Sequence, residues 1–199
     1  SLVRAAAKNH AFVTIATRAA QYPAILDEFR KDGATTLPLR RRLMIEAYAH
    51  TGAYDALIAQ YYQSNWSEEP FPETLPLALR RTAELRYGEN PHQQAALYGR
   101  FREYFEQLHG KELSYNNILD LTAATALIAE FHDAPPTLAI LKHTNPCGVG
   151  QGETLKEAWD KAYATDRQAP FGGIIAVNQI LDLPCAQAIA EIFSEVIIA

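Results

Sequence analysis

Four short polar segments of this chain carry the residue types that chemistry needs. The first is KHTNPCGVG, residues 142–150, directly after the apolar run LAIL. Lys142 and His143 are adjacent there. One supplies a fixed positive charge and the other a proton acceptor that titrates near neutrality. A surface lysine beside a capping or core histidine is the plainer reading, and the residues alone leave both open. The second segment is LRYGENPHQ, residues 85–93. Arg86 suits bidentate contact with phosphate, Tyr87 can stack on a base, and Asn90, His92 and Gln93 suit a polar heterocycle. An ordinary turn with its own hydrogen bonds explains the same residues. The third, DRQAPFGGI at 166–174, puts Gly172 and Gly173 before an apolar run. Two glycines let a ligand approach the backbone, or they serve a bulge or tight turn. The fourth, SYNNILD at 114–120, sets Asn116, Asn117 and Asp120 at a helix start, where N-capping is the alternative to a ligand contact.

Other chemistries are not supported. A zinc deaminase needs H-x-E and then P-C-x-x-C. Here Pro146 and Cys147 are followed by Gly148, Val149 and Gly150, so no metal is expected. Cys147 reads as a small packed residue rather than a nucleophile. Neither a G-x-G-x-x-G fingerprint nor a P-loop is present.

The elements that must position these segments alternate between strand and helix. Residues 11–17, AFVTIAT, read as a buried strand. Residues 19–31 read as a helix closed by Gly33. A long helix is expected from about Leu39 to Tyr62, with Tyr54, Leu57, Ile58 and Tyr61 on one apolar face and Arg40, Arg41 and Arg42 on a solvated one. Residues 64–73, SNWSEEPFPE, read as a linker, and LPLALRRTAELRY as a possible strand after it. A helix follows from Asn117 to Phe131, with Leu121, Ala124, Ile128 and Phe131 on one face. LAILK and GGIIAVN read as strands, and Gly148, Gly150 and Gly152 as a flexible loop between them. Thr154 and Glu157 form a capping-box pattern ahead of a helix with Leu155, Ala158, Trp159 and Ala162 inward. Asp182 caps a last helix with Ile189, Ile192 and Phe193 inward, and VIIA closes the chain as a strand. The expected class is α/β, with layers around a mostly parallel sheet.

The composition narrows the partners. Of 199 residues, 48% are hydrophobic and 21% charged, with a formal net charge of -5. A mildly acidic chain does not suit general binding to nucleic acid. Cys147 and Cys185 form no framework, which fits a reducing, cytoplasmic setting. SLVRAAAKNH lacks the apolar stretch of a secretory signal, and no apolar run approaches the roughly 18 residues of a membrane span. The apolar ends suggest a fragment of a longer protein, because a buried strand needs ladder partners.

RAAAKNH, LRYGENPHQ, SYNNILD, LKHTNPCGVG and DRQAPFGGI occur in this order. Together they resemble the bifunctional AICAR transformylase/IMP cyclohydrolase family of purine biosynthesis, along nearly the whole chain. The resemblance implies two domain parts. Residues 1–65 would be the tail of a Rossmann-like, methylglyoxal-synthase-like cyclohydrolase domain with its connecting helices. Residues 66–199 would be the first part of a cytidine-deaminase-like transformylase domain without zinc. It implies catalytic roles for Lys142 and His143 in formyl transfer and for Lys8 in cyclisation. It places Arg86, Tyr87, His92, Asn117 and Gly172 in the AICAR pocket, and Glu195 where some members carry aspartate. Implied partners are AICAR, formyl-AICAR, IMP and the co-substrate 10-formyltetrahydrofolate, in a cytoplasmic homodimer. A non-catalytic nucleotide-binding or dimerisation piece is the competing reading, and a zinc-dependent deaminase ranks last.

Overall fold

Helices are the regular elements of the first part of the chain, and no strand forms there. The computed structural model describes residues 1–199, which divide into two compact units, Ser1–Arg80 and Arg81–Ala199. In the first unit, helix α1 spans Leu2–Lys8, and the Ser1 side chain accepts the Arg4 amide. A 3-10 turn at Ala19–Gln21 leads into α2, Tyr22–Asp32. Gly33 ends α2 at φ 71, the left-handed cap that glycine adopts without a Cβ penalty. Helix α3 runs from Leu37 to Trp66, with Thr36 capping the Leu39 amide. Glu28 accepts both the Thr36 amide and the Thr36 hydroxyl, at 2.6 and 3.0 Å, so the end of α2 is tied to the start of α3.

Two expectations fail in this unit. Residues 11–17 form no strand, none of them is buried, and Phe12 is 86% exposed. A β-branched apolar run becomes a strand only beside another, and the unit offers none. Arg40 is not on a solvated face. Its guanidinium donates to the carbonyls of His10, Ala11 and Thr35, closing the loop after α1 against α3. The apolar face through Tyr54, Leu57 and Tyr61 exists, but all three are more than half exposed. The buried apolar residues of the unit lie earlier, at Ala7, Leu39, Leu43 and Ala47. Helix α3 stops ahead of Pro70 and Pro72, as it must, because proline removes a helix donor and clashes with the preceding turn.

The second unit begins with a ribbon. Strand β1, Arg81–Leu85, pairs antiparallel with β2, Ala95–Tyr98, and the short α4, Phe101–Tyr104, follows. Helix α5, Tyr115–Ala129, then precedes a four-stranded sheet. Its strands are β3, Thr137–Lys142; β4, Asn145–Gln151; β5, Gly173–Val177; and β6, Ser194–Ile198. Helix α6, Leu155–Thr165, joins β4 to β5, and α7, Leu183–Ile189, joins β5 to β6. The spatial order is β4-β3-β5-β6.

The sheet is mixed, not mostly parallel. Only β5 and β6 run parallel, and β3 is antiparallel to both neighbours. The reason is the glycine stretch read as a loop, which is the strand β4. A Cβ on Gly148 would lie 2.1 Å from the Ala162 carbonyl oxygen, and one on Gly150 2.1 Å from that of Ala158. Here glycine lets α6 lie directly on the strand backbone.

Alternation along the central strands makes two cores. Leu138, Ile140, Ile175 and Val177 face α6 and α7, packing with Leu155, Ala158, Trp159, Ala162, Cys185 and Ile189. Ala139, Leu141, Ile174 and Ala176 face α5, meeting Ala124 and Ile128. The result is an α/β sandwich of three layers. Asn178, just after β5, fastens it: Oδ1 accepts the Thr137 amide at 2.8 Å, and Nδ2 donates to the Phe131 and Ala134 carbonyls. Phe193, expected to point inward, is 57% exposed and lies against Phe171.

Candidate functional site

Three polar segments far apart in sequence meet at one end of this sheet. The buried face of α5 runs through Leu121, Ala124 and Ile128, and the same helical stripe continued toward the N-terminus carries Asn117. Ser114 is the N-cap, and its amide and hydroxyl both donate to Asn117 Oδ1, at 3.1 and 2.9 Å. That orients the Asn117 amide so that Nδ2 donates to Glu195 Oε2 at 2.9 Å, across 78 residues of sequence. Asn116 and Asp120 do not cap the helix. Asn116 reaches the Glu89 carbonyl at 3.3 Å, and Asp120 accepts the Thr144 amide at 2.8 Å.

The second segment is the corner between β3 and β4. Lys142 and Asn145 are paired residues of the hairpin, so only His143 and Thr144 make the turn. Both have positive φ, 51 and 65, as a two-residue type I′ turn requires. The turn breaks the alternation of the strand, so Lys142 and His143 both reach the same cleft. The Lys142 ammonium donates to the Phe171 carbonyl at 2.6 Å.

The third segment is the approach to β5. Gly172 has φ 70, and its amide donates to the Phe193 carbonyl at 2.7 Å. A Cβ on Gly173 would lie 2.9 Å from the carbonyl oxygens of Leu141 and Pro170. Both glycines therefore serve a tight turn, and Gly172 also lines the cleft.

The cleft has a volume of about 340 Å³ and brings together Tyr87, Asn117, Lys142, His143, Gly172 and Glu195. Asn116, Asp120 and Thr144 line it as well. Tyr87 is set in place because its carbonyl accepts the Tyr115 amide at 3.2 Å at the start of α5. Arg86 lies outside the cleft, on the wall of a larger groove, with its guanidinium 5.0 Å from the Tyr87 ring centroid. His92 is exposed and outside it too, in a loop closed by the Gly88 amide on the Gln93 carbonyl. Lys8 belongs to the first unit, exposed in the last turn of α1.

Chemically, the cleft offers one ammonium, one imidazole, two carboxylates, two amides and an aromatic ring. That set can hold a polar heterocycle through its edge and face and move a proton beside a fixed positive charge. Cys147, on the strand after the corner, is no activated nucleophile. Burial pushes its thiol pKa up, Asp166 adds to that, and Lys142 only partly opposes them. The sequence left Asp120 open between a ligand contact and a helix cap, and its hold on Thr144 is neither. Its position three residues after Asn117 was the available signal, since i and i+3 share a helix face.

Comparison with known proteins gives the ancestry. Residues 6–199 match the family model described as AICARFT/IMPCHase bienzyme. The chain belongs to that family. It is 56% identical over 200 residues to the bifunctional purine biosynthesis protein PurH of Chloroflexus aurantiacus, covering 100% of this chain and 38% of that protein. It is 50% identical to PurH of Chlorobium phaeobacteroides over 210 residues, and 49% identical to PurH of Chlorobium chlorochromatii over 209 residues. Each of those two matches covers 100% of this chain and 40% of the relative. The chain thus spans about two fifths of the length of these curated relatives.

Proposed function

We propose that this chain is part of an enzyme that formylates AICAR from 10-formyltetrahydrofolate and closes formyl-AICAR to IMP, with Lys142 and His143 performing the transfer. The observation that carries the proposal is the β3–β4 corner, which delivers an adjacent ammonium and imidazole into one cleft with Tyr87, Asn117, Gly172 and Glu195. The 5-amino group of AICAR is a poor nucleophile, because its lone pair is delocalised into the ring and carboxamide. As its nitrogen attacks the formyl carbon, His143 accepts a proton from it. Lys142 stabilises the oxygen that becomes negative. The bond from the formyl carbon to N10 of the folate then breaks, and N10 leaves as an amine with the proton returned. Asn117, with Glu195, and the Tyr87 ring suit the edge and face of the imidazole carboxamide. Arg86 and His92 are assigned to the same nucleotide from the neighbouring segment.

In this reading residues 1–65 close a methylglyoxal-synthase-like cyclohydrolase domain, and 66–199 begin a cytidine-deaminase-like transformylase domain. Lys8 stabilises developing negative charge during ring closure. The working protein is a cytoplasmic homodimer. No helix is long and apolar enough to cross a membrane.

The test is reciprocal and uses the full-length protein. His143→Ala and Lys142→Ala each lower kcat for formyl transfer by roughly 10² or more and leave cyclisation intact. Lys8→Ala does the opposite. The Lys142/His143 double variant loses much less than the product of the single losses, since the two act as a unit. Single-turnover transfer near the wild-type rate in a folded His143→Ala protein would remove His143 as the base.

A further inference from the structure

The corner that carries His143 is built from residues that resist it. His143 and Thr144 lie at φ 51 and 65 with no glycine between them, and Thr144 is β-branched. Left-handed backbone is uncommon for residues with a Cβ, and for β-branched ones it is a marked outlier. Two-residue hairpins of this type ordinarily draw Asn-Gly. A strained conformation persists only where its surroundings over-determine it.

Part of the bracing comes from within. The Thr144 hydroxyl donates to the His143 carbonyl at 2.6 Å, and the Asn145 side-chain amide donates to the same oxygen at 2.9 Å. Neither ties the corner to anything else. The contact that ties the turn residues themselves to another element is made by Asp120, half-buried on α5, whose Oδ1 accepts the Thr144 amide at 2.8 Å across 24 residues. A carboxylate acceptor makes this bond stronger than a neutral one. Helix α5 is itself packed against the sheet through Ala124 and Ile128. A bond from α5 therefore fixes the corner relative to the cleft wall that holds Asn117.

We propose that Asp120 is a positioning residue: by holding the Thr144 amide it fixes the strained corner that aims His143 into the cleft. This rests on reading His143 as the base of formyl transfer. Asp120 moves no proton. It acts through the backbone of the residue next to the base, and small displacements of a reacting group are costly in rate.

The experiment uses the full-length enzyme with Asp120→Ala and Asp120→Asn, and with Asp120→Ala in a Thr144→Gly background. We expect Asp120→Ala to lower kcat for transfer about ten-fold while KM for AICAR changes less than about three-fold. Asp120→Asn keeps an acceptor oxygen and recovers most of the rate. In the Thr144→Gly background, Asp120→Ala costs less than about three-fold, because glycine holds a positive φ unaided. Amide exchange of a peptide spanning the corner is slow in the wild type and in Asp120→Asn, and fast in Asp120→Ala. Four results would overturn the proposal: a wild-type kcat in Asp120→Ala; an equal loss in both backgrounds; a raised KM at unchanged kcat, which would make Asp120 a ligand contact; or unchanged exchange at the corner. Full transfer by His143→Ala would sink the base assignment instead, and the exchange arm would still decide whether Asp120 holds the turn.

Discussion

At one wall of the cleft the chain turns through His143 and Thr144, at φ 51 and 65; at the other it turns through Gly172, at φ 70. Both corners sit at the same end of the sheet, and Lys142 joins them by donating to the Phe171 carbonyl. They meet one conformational requirement with opposite residues. At Gly172 the residue offers only its backbone, so glycine is the relaxed solution. At the β3–β4 corner His143 lines the cleft with its side chain, and the Thr144 amide is held by a hydrogen bond from α5. Left-handed backbone filled by residues other than glycine is what the proposed role of His143 asks of this corner.

The largest expected effect comes from putting a side chain where the relaxed corner has none. A Cβ at Gly172 would meet nothing nearer than the Phe193 ring at 3.8 Å, so space is not the obstacle. Gly172→Ala should still destabilise by about 1 kcal/mol, because the left-handed cost of about 1–2 kcal/mol exceeds the roughly 0.4–1 kcal/mol gained from a stiffer unfolded chain. Urea unfolding measures this, and an unchanged midpoint would mean that the two corners do not differ in strain as their φ angles imply.

Thr144→Gly is the converse change and has a smaller effect. It relieves about 1–2 kcal/mol of left-handed strain and gives back about 0.4–1 kcal/mol through the freer unfolded chain. The variant should be more stable than the parent by about 0.5 kcal/mol, seen as a slightly raised midpoint in the same titration. A clear loss of stability would show that the hydroxyl bond to the His143 carbonyl outweighs the strain.

The smallest effect reports on the charges between the corners. The Cys147 thiol is pushed up by burial and then by Asp166, and is drawn down by Lys142. Asp166 belongs to the approach to Gly172, where its carboxylate accepts the Gln168 and Ala169 amides at 2.8 and 3.1 Å. Only the thiolate is alkylated, and a raised pKa leaves less of it at pH 8. Cys147 should therefore react more slowly than a free thiol, and Cys185, buried and pushed up to about 11, more slowly still. Lys142→Ala removes a stabilising cation and should slow Cys147 further, while Asp166→Asn should speed it. Rates of iodoacetamide labelling between pH 7 and 9 that are equal in all three proteins would mean that neither corner's charge reaches the thiol.

Much of this organisation was legible in the residues. The stripe Leu155, Ala158, Trp159 and Ala162 behind Thr154 is the buried face of α6, because a 3.6-residue period and a capping residue are local properties. The same holds for Leu121, Ala124 and Ile128 on α5, for Gly33 as a left-handed cap, and for the apolar runs that became β3 and β5. The five ordered motifs also pointed to the family that the comparisons show.

What tertiary structure alone decided concerns partners distant in sequence. AFVTIAT has strand composition and is no strand, since pairing depends on a neighbour that no local pattern supplies. Gly148 and Gly150 look like loop residues and form a strand, because α6 lies too close to admit a Cβ. Antiparallel pairing of β3 with β4 follows from a two-residue turn without the usual turn residues, and that of β3 with β5 from the return of the chain through α6, neither of which local propensity foresees. The cleft depends on the same kind of information. Residue types at 117, 120, 142, 143 and 195 are written in the chain, but the bond from Asn117 to Glu195 and the hold of Asp120 on Thr144 exist only because α5, the hairpin and β6 converge. Side-chain chemistry is a property of single residues, whereas the direction in which a side chain is presented belongs to the packed whole.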